Sequence, residues 1–237
     1  MTTQHAVIIG GSSGIGLATA RHLLASGMNV TITGRSAPRL EAALKSLPGA
    51  QRVVMDAAST DTLNETLSGI GAFDHLVLAL GSGKGFGPFT SISVADVRQG
   101  FEEKVFPHFA VAQAALPFLR KDGSITFISA VSAHAAAPGT AGIGAANAAV
   151  AMFVPILAAE LRPLRVNGVS PGVVDTPWWD FLSSEQRTAA FAEYAAKTPV
   201  GRVGRPEDVA QAVAFLITDS FMTGHVIVCD GGLRLVA

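Results

Sequence analysis

Short apolar runs rich in β-branched residues alternate along the chain with longer segments whose apolar residues recur every three or four positions. Several short runs are apolar on both faces, which is typical of parallel strands covered by helices on each side. The pattern predicts strands at Ala6–Ile9, Asn29–Thr33, Gln51–Met55, His75–Leu80, Ser124–Ile128, Arg165–Val169 and His225–Cys229. It predicts helices at Ile15–Ser26, Pro38–Leu47, Thr60–Ile70, Ser93–Leu119, Ala141–Leu161 and Pro206–Thr218. This alternation favours right-handed βαβ crossovers, and therefore an α/β fold with a doubly wound parallel sheet of about seven strands and helices on both faces.

One segment departs from the alternation. Trp178 to Lys197 follows the sixth strand, and we interpret it as a helical insertion, covering about residues 177–198, that forms a lid near the site. No linker, repeat or low-complexity block interrupts the remaining pattern, so we expect one domain over residues 1–237. Pro155 lies inside a predicted helix and should kink it.

Composition narrows the choice of partners and compartment. The chain has 17 basic and 18 acidic residues and a formal net charge of −1, so no basic stripe indicates nucleic acid. The single cysteine, Cys229, cannot form an internal disulfide, which favours a reducing compartment. Met1–His5 lead into a strand without a signal-peptide pattern, and the apolar stretch Ala145–Ala159, interrupted by Asn147 and Pro155, is too short to span a bilayer. We expect a soluble cytoplasmic protein without a membrane, nucleic-acid or metal partner.

A glycine-rich turn joins the first strand to the first helix. Gly10, Gly14 and Gly16 belong to this turn, whose full set of predicted ligand-binding residues is Gly10, Ser12, Ser13, Gly14, Ile15 and Gly16. Glycines allow a sharp turn and let the backbone approach a pyrophosphate, while the following helix N-terminus offers unpaired N–H groups and a positive dipole end. The pattern therefore indicates a Rossmann-type dinucleotide site; the alternative is a glycine-rich turn without a ligand.

The end of the second strand indicates which dinucleotide is bound. An acidic residue here would bind the ribose 2′-hydroxyl of NAD, but the chain has Gly34 and Arg35 instead. A guanidinium suits a 2′-phosphate, so NADP(H) is favoured over NAD(H), unless Arg35 is only a solvated surface residue. Asp56, with Ala57 after the third strand, is placed for an adenine contact or for the N-cap of a turn.

The sequence resembles the short-chain dehydrogenase/reductase family through matches that follow one another in the same order along nearly its whole length. Besides the glycine turn and Asp56-Ala57, the matches are Gly81, Asn167, the run from Ser170 to Gly172, Thr176, residues 201–208 and residues 230–232. The resemblance implies a nicotinamide cofactor, a small carbonyl or alcohol substrate, and a homodimer or homotetramer formed through the two long helices and the C-terminal segment. It adds these positions to the cofactor-binding residues: Gly81, Asn147, Pro171, Gly172, Val174 and Thr176.

The catalytic serine, tyrosine and lysine that the resemblance implies are missing. Ala130 stands at the serine position, Ile143 at the tyrosine position and Asn147 at the lysine position. The chain has one tyrosine, Tyr194, and it lies in the insertion. An asparagine expected on the preceding long helix is replaced by Lys104.

Other side chains are candidates for the missing proton chemistry. Lys104 would point toward the nicotinamide side, where desolvation could depress its pKa; the alternative is a surface lysine following two glutamates. His108 and His134 could titrate near neutrality or be hydrogen-bonded scaffold residues. Ser129 and Ser132 flank Ala130 and could replace the serine, or bond to the backbone.

Three residues outside this region could contact a substrate. Lys84 could reach an anionic substrate or only water, and Tyr194 could enter the site or pack within the lid. Of the adjacent pair Trp178 and Trp179, one is expected to line an apolar pocket while the other packs.

Three functions remain open from sequence. The first is an NADP(H)-dependent oxidoreductase with a non-standard proton donor, because hydride transfer needs mainly orientation. The second is an NADP(H)-binding sensor or scaffold without activity, and the third is a different reaction on the same fold.

Overall fold

The computed structural model describes residues 3–236. Met1 and Thr2, which belong to the N-terminal stretch without a signal-peptide pattern, and Ala237 lie outside the described residues. The strands are β1 (His5–Ile9), β2 (Asn29–Gly34), β3 (Gln51–Val54), β4 (Phe73–Leu78), β5 (Leu119–Ile128), β6 (Arg165–Pro171) and β7 (Val226–Cys229). The helices are α1 (Gly14–Ala25), α2 (Ala37–Leu44), α3 (Thr60–Ile70), α4 (Val94–Ala115), α5 (Ala141–Glu160), α6 (Ser184–Lys197) and α7 (Pro206–Thr218). Short 3-10 turns cover Val131–Ala133, Pro177–Trp179 and Leu233–Leu235.

The described strands form one seven-stranded parallel sheet, as the sequence pattern predicted. Their order in the sheet is β3-β2-β1-β4-β5-β6-β7. Alternate residues of the central strands enter two apolar clusters, one on each face. Helices α3, α4 and α5 cover one cluster, and α1, α2 and α7 cover the other. The strand order reverses between β1 and β4, so the connections that follow these two strands run to opposite faces of the sheet and leave between them the crevice in which ligands of such sheets bind.

The largest difference from the predicted boundaries lies between α4 and β5. The predicted helix ran to Leu119, but α4 ends at Ala115, because Pro117 has no N–H with which to continue the helical hydrogen bonds. β5 then begins at Leu119, five residues before the predicted Ser124, and pairs with Phe73 across a register shift. That pairing also moves the start of β4 from His75 to Phe73, and β4 ends at Leu78 rather than Leu80.

The sequence pattern had indicated one helical insertion, but the structure has two separate elements in this segment. A 3-10 turn at Pro177–Trp179 is followed by α6, which begins only at Ser184. Ser183 starts α6 with a capping box: its hydroxyl accepts from the Gln186 N–H, and the Gln186 side chain accepts from the Ser183 N–H.

Within the described residues, α5 is the one helix long and apolar enough to cross a membrane by length and composition. The expectation that this stretch is too short was therefore wrong, because the helix is 20 residues long and continues through Pro155. Such a helix is weak evidence for a membrane, since the core helices of soluble proteins pass the same test. Here α5 packs against α4, β5 and β6, and 44% of its most apolar window is buried.

Candidate active site at the carboxyl edge of the sheet

The glycine turn after β1 is packed too closely for side chains. Gly10 and Gly14 have φ of 83° and 51°, which favours glycine. The N–H groups of Gly10 and Gly11 both donate to the carbonyl of Thr33, at 3.1 and 3.0 Å, so the turn is fixed against β2. A Cβ on Gly16 would lie 2.2 Å from the Gly10 carbonyl oxygen. The turn therefore keeps its backbone at the surface of the crevice.

The N-terminus of α1 opens into the same crevice without a capping side chain. Ser13 is the N-cap residue in extended conformation, yet its hydroxyl makes no cap hydrogen bond, and no acidic residue lies in the first turn. A Cβ on Gly14 would lie 3.3 Å from the Thr176 side chain. Uncapped N–H groups and a positive dipole end fit a pyrophosphate, and the close packing against Thr176 leaves no room for a side chain at position 14.

The end of β2 is placed for the adenosine half of a dinucleotide. Gly34 lies beside Ser12, whose hydroxyl would be 3.4 Å from a Cβ on Gly34. Arg35 is exposed and forms no ion pair within residues 3–236. Arg39, a second exposed guanidinium at the start of α2, was not identified from sequence, although its spacing from Arg35 could have indicated it.

Asp56 forms a local turn after β3. One carboxylate oxygen accepts from the Ala58 N–H at 3.1 Å, and the residue is exposed, while Ala57 is buried. The turn role considered from sequence is therefore present, and the second carboxylate oxygen remains free for another donor.

The loop after β4 is held between the lid and α5. Trp178 donates from its indole nitrogen to the Ser82 carbonyl at 3.1 Å, and its ring would be 3.8 Å from a Cβ on Gly81 or Gly83. On the other side, the Gly85 carbonyl accepts from the N–H of Ile143 at 2.8 Å. Ile143, at the expected tyrosine position, is therefore close to this loop.

Lys104 is buried, with 5% exposure, so the surface alternative considered from sequence is wrong. The reason is its direction: it faces β5 from α4, and its Nζ lies 3.4 Å from the Ser129 carbonyl oxygen. Burial lowers the pKa of Lys104 from 10.5 to about 8. No carboxylate forms an ion pair with it among residues 3–236.

His108 is a fully buried scaffold residue one turn later. Its Nδ1 lies 2.7 Å from the Lys104 carbonyl oxygen, and its Nε2 lies 3.3 Å from that of Leu78. Burial, with a smaller contribution from the Lys104 charge, lowers the pKa of His108 to about 3. The expectation that it could titrate near neutrality was therefore wrong, because its surroundings exclude water.

Ser129, Ser132 and Asn147 form one hydrogen-bonded group. Ser129 donates from its hydroxyl to the Asn147 backbone carbonyl at 2.7 Å. The Asn147 amide nitrogen donates to the Ser132 hydroxyl and to the Ile143 carbonyl, both at 3.0 Å. The two serines are thus engaged with α5 and with its asparagine, and Ala130 between them carries no polar group.

The remaining candidates have other partners. His134 is exposed and its Nε2 lies 3.0 Å from the Ser170 hydroxyl. Lys84 pairs with Asp96 at 3.6 Å. Tyr194 packs within the lid, 5.9 Å from the ring centre of Trp179.

Arg187 fastens the lid to the carboxyl end of β6 and was missed in the sequence. Its guanidinium donates to the Thr176 carbonyl at 3.1 Å, to Asp180 at 3.0 Å and to the Asp175 carboxylate. It also lies 5.3 Å from the ring centre of Phe191. The only sequence signal for this role would have been a basic residue in the insertion with two aspartates before it.

Asn167, Pro171 and Gly172 belong to the structural frame around β6. Asn167 donates to the Met222 carbonyl and accepts from the His225 N–H, so it fixes the segment before β7. A Cβ on Gly172 would lie 2.8 Å from the Asp230 Cα. Val174 is buried and bridges to Gly204.

The fold and the glycine turn define a Rossmann-type α/β protein, and the comparisons with known proteins narrow this class. A family profile described as enoyl-(acyl carrier protein) reductase matches residues 10–234. A short-chain dehydrogenase/reductase of Stachybotrys chlorohalonatus is 32% identical, over 98% of this chain and 97% of that protein. The 3-oxoacyl-(acyl-carrier-protein) reductase of Thermotoga maritima is 31% identical, over 96% of both. The chain belongs to the short-chain dehydrogenase/reductase family of oxidoreductases.

Solved structures agree with this assignment. A small-chain dehydrogenase in complex with NADPH superposes with a TM-score of 0.86 at 29% identity, covering 99% of this chain and 100% of that one. A reductase/Diels-Alderase from Malbranchea aurantiaca superposes with a TM-score of 0.87 at 27% identity, covering 99% of this chain and 97% of that one.

Proposed function

We propose that the chain is an NADP(H)-dependent oxidoreductase, formed by one dinucleotide-binding domain, that acts on a small carbonyl or alcohol with a non-standard proton donor. The observation that carries this proposal is the uncapped N-terminus of α1 facing Thr176 across the glycine turn. No side chain caps that terminus among residues 3–236, so its N–H groups can donate to an anionic pyrophosphate, and without a Cβ at Gly14 the backbone can approach the ligand closely.

The choice of NADP(H) rests on Arg35. Its guanidinium is exposed, forms no ion pair with any residue from 3 to 236 and lies beside Gly34, so it can form two parallel hydrogen bonds to a 2′-phosphate. NAD binding would need an acidic side chain at the end of β2 to accept a hydrogen bond from the ribose 2′-hydroxyl, and the sequence has none there. The NADPH complex of a structural relative supports the same choice.

A bound nicotinamide supplies or removes a hydride. The chain must then orient the substrate, exclude water and provide a proton. Ile143 and Ala130 cannot exchange a proton, and the Ser129 hydroxyl already donates to a backbone carbonyl of α5. Lys104 is the candidate proton donor, because its buried ammonium has one long contact and a pKa lowered to about 8. Trp178 packs over the loop after β4 and donates to its Ser82 carbonyl.

A second candidate function is an NADP(H)-binding sensor or scaffold without turnover. It is favoured by Asn147, whose amide nitrogen is engaged by Ser132 and Ile143 rather than turned to a ligand. Ala130 and Ile143 leave this part of the crevice without polar side chains of their own.

A homodimer or homotetramer in the cytoplasm completes the proposal. Exposed apolar side chains lie on the two long helices: Phe106 and Phe109 on α4, Met152 and Ile156 on α5. Exposed apolar groups on neighbouring helices favour burial against a second copy. The lone Cys229 is compatible with a reducing compartment.

The test is a panel of small aldehydes and ketones followed at 340 nm with NADPH, comparing the natural protein with Lys104→Met. Substrate-dependent oxidation that falls about 10²- to 10⁴-fold in Lys104→Met supports an oxidoreductase with this proton donor. Equal turnover by both proteins would remove Lys104 from the mechanism. NADPH binding without turnover on any substrate favours the sensor or scaffold.

A further inference from the structure

A pocket of about 410 Å³ opens at the amino edge of the sheet, near the start of β4, β5 and β6. His75 on β4 and Arg165 on β6 line it, and Ile217 and Thr218 border it from the end of α7. The glycine turn lies at the carboxyl edge, at the other end of the parallel strands. The pocket is therefore separate from the candidate active site, and its volume suits a small-molecule ligand.

Polar side chains form a row across the strands beside this pocket. In the parallel register, His75 lies opposite Ser124 of β5, and Ser124 lies opposite Arg165 of β6. His75 Nδ1 lies 2.9 Å from the Ser124 hydroxyl oxygen. Asp122 comes two residues before Ser124 on β5, so it is on the same face of the sheet, and it also lines the pocket. An imidazole, a guanidinium and a carboxylate thus line one opening.

The second ring nitrogen of His75 has no partner. Nε2 is buried in a side chain that is only 1% exposed, and no group among residues 3–236 bonds to it. Nδ1 is turned toward β5, and Nε2 is the ring nitrogen farther from the backbone. Nε2 therefore points away from the sheet, toward the end of α7 and the pocket. Because an unpartnered buried group costs its full desolvation, a ligand atom that bonds to Nε2 is favoured.

The pairing with Ser124 indicates that Nε2 is a donor. If the serine hydroxyl donates to Nδ1, the ring hydrogen is on Nε2, and an N–H is the one group left without a partner. With the other tautomer, both the serine hydrogen and Nε2 would lack partners, which costs more. Burial lowers the pKa of His75 from 6.5 to about 4, against a smaller opposing effect of the Asp74 carboxylate, so the ring is neutral at pH 7.

Arg165 and Asp122 bring opposite charges to the pocket. The Arg165 guanidinium donates to the carbonyls of Leu216 and Ile217 at 2.7 and 2.8 Å. These two bonds leave three of its five N–H groups for another acceptor. Asp122 forms no ion pair with any residue from 3 to 236.

The other acidic residues near the row are already bonded. Asp74 pairs with Arg120 at 3.2 Å. The Asp219 carboxylate accepts from the N–H groups of residues 221 and 222, both at 2.8 Å. Asp122 is therefore the carboxylate that a ligand can contact.

One kind of small molecule satisfies all these groups. Its carboxylate accepts from Arg165 and from Nε2 of His75, and its ammonium contacts Asp122, close to the negative C-terminal end of α7. A simple anion would leave the Asp122 carboxylate unpaired, and a simple amine would leave the Arg165 and His75 donors unpaired. The pocket also has an apolar wall, formed by Pro163 and Ile217. An α-amino acid with an apolar side chain has all three complementary parts.

We propose that this pocket binds an α-amino acid with an apolar side chain, whose carboxylate contacts Arg165 and His75 and whose ammonium contacts Asp122. It is a second ligand site, at the edge of the sheet opposite the dinucleotide crevice. The site uses neither the cofactor nor Lys104, so it does not depend on the proposed oxidoreductase activity.

Calorimetric titration of the purified protein with each apolar L-amino acid at millimolar concentration tests the site. We expect at least one of them to bind. Its N-acetyl derivative and its decarboxylated amine should each bind at least about tenfold more weakly, because each lacks one of the two charged groups. The proposal is overturned if no amino acid binds, or if both derivatives bind as tightly as the amino acid.

Substitutions in the pocket show where the amino acid binds. Asp122→Asn should weaken binding at least about tenfold, because it removes the carboxylate that contacts the ammonium. His75→Asn should weaken it similarly, since asparagine can still bond to Ser124 but has no atom at the Nε2 position. His75→Gln should keep most of the affinity, because its amide nitrogen reaches that position.

Asp61→Asn is the matched control, an exposed aspartate on α3 at the other face of the sheet, and should leave the affinity unchanged. If His75→Asn does not fold, Asp122→Asn decides the test, because it changes an exposed side chain. Unchanged affinity in every pocket variant that folds would place the ligand elsewhere and overturn the proposal.

Discussion

Replacing Lys104 with methionine should stabilise the protein at neutral pH. The folded state keeps a charged amine at a site with 5% exposure and one long hydrogen bond. The pKa of this amine falls from 10.5 to about 8 on burial. Each tenfold change in a protonation constant corresponds to about 1.4 kcal/mol, so the buried charge costs roughly 3 kcal/mol of unfolding free energy. Methionine fills a similar volume without the charge.

The destabilisation caused by the buried Lys104 charge depends on pH. Below pH 8 both folded and unfolded chains carry the proton, so the full cost is present. Between pH 8 and 10.5 the unfolded chain binds more protons than the folded one, so the free energy of unfolding of the natural protein rises with pH over this window. The advantage of Lys104→Met should therefore shrink toward pH 10.5.

Urea unfolding at pH 7 and near pH 10, with the exposed Lys121→Met as matched control, measures this difference. At pH 7 we expect Lys104→Met to be more stable by about 2–3 kcal/mol, or to melt roughly 4–12 °C higher. Lys121→Met should change neither value appreciably. The reasoning is refuted if Lys104→Met is no more stable than the natural protein at pH 7, or if its advantage is the same at both pH values.

Three further substitutions, and one control in α3, probe the cofactor site and the lid. Arg35→Asp should weaken NADPH binding about 10- to 100-fold in calorimetry and leave NADH binding equal or stronger; an unchanged NADPH affinity would contradict a 2′-phosphate contact. Gly16→Ala should lose NADPH binding and destabilise the fold by about 1–3 kcal/mol, because its Cβ would lie 2.2 Å from the Gly10 carbonyl oxygen. Gly69→Ala, with no neighbour within 4 Å, should instead stabilise α3; similar melting of the two variants would speak against the steric argument. Arg187→Met should speed hydrogen exchange in α6 while changing the global melting temperature by only about 1–4 °C, and unchanged exchange would show that the lid does not depend on this side chain.

The sequence predicted the fold well because its strong signals are local. Apart from α6 in the insertion, the strands and helices were predicted from periodicity, and α7 matched to the residue, since Pro206 opens it and Asp219 ends its apolar pattern. Boundaries failed where a weaker local signal was overlooked or where pairing decides. Pro117 should have ended α4, whereas the start of β5 at Leu119 depends on a partner, Phe73, far away in sequence.

The candidate site could be predicted only in part. Arg35 and the glycine turn are identified by their position between a strand and a helix. The burial of Lys104 could not be read from two preceding glutamates, because only the packing of α4 on β5 turns it inward. The links among Ser129, Ser132 and Asn147 likewise require the distance between β5 and α5, which a sequence pattern does not contain.

Calorimetric titration of the purified protein with NADPH and with NADH tests the central proposal, a nicotinamide dinucleotide bound across the glycine turn, most directly. We expect NADPH to bind at micromolar concentration, with a dissociation constant at least about tenfold below that of NADH, because Arg35 can contact the 2′-phosphate. The absence of binding by either dinucleotide would contradict the proposed site and the function built on it.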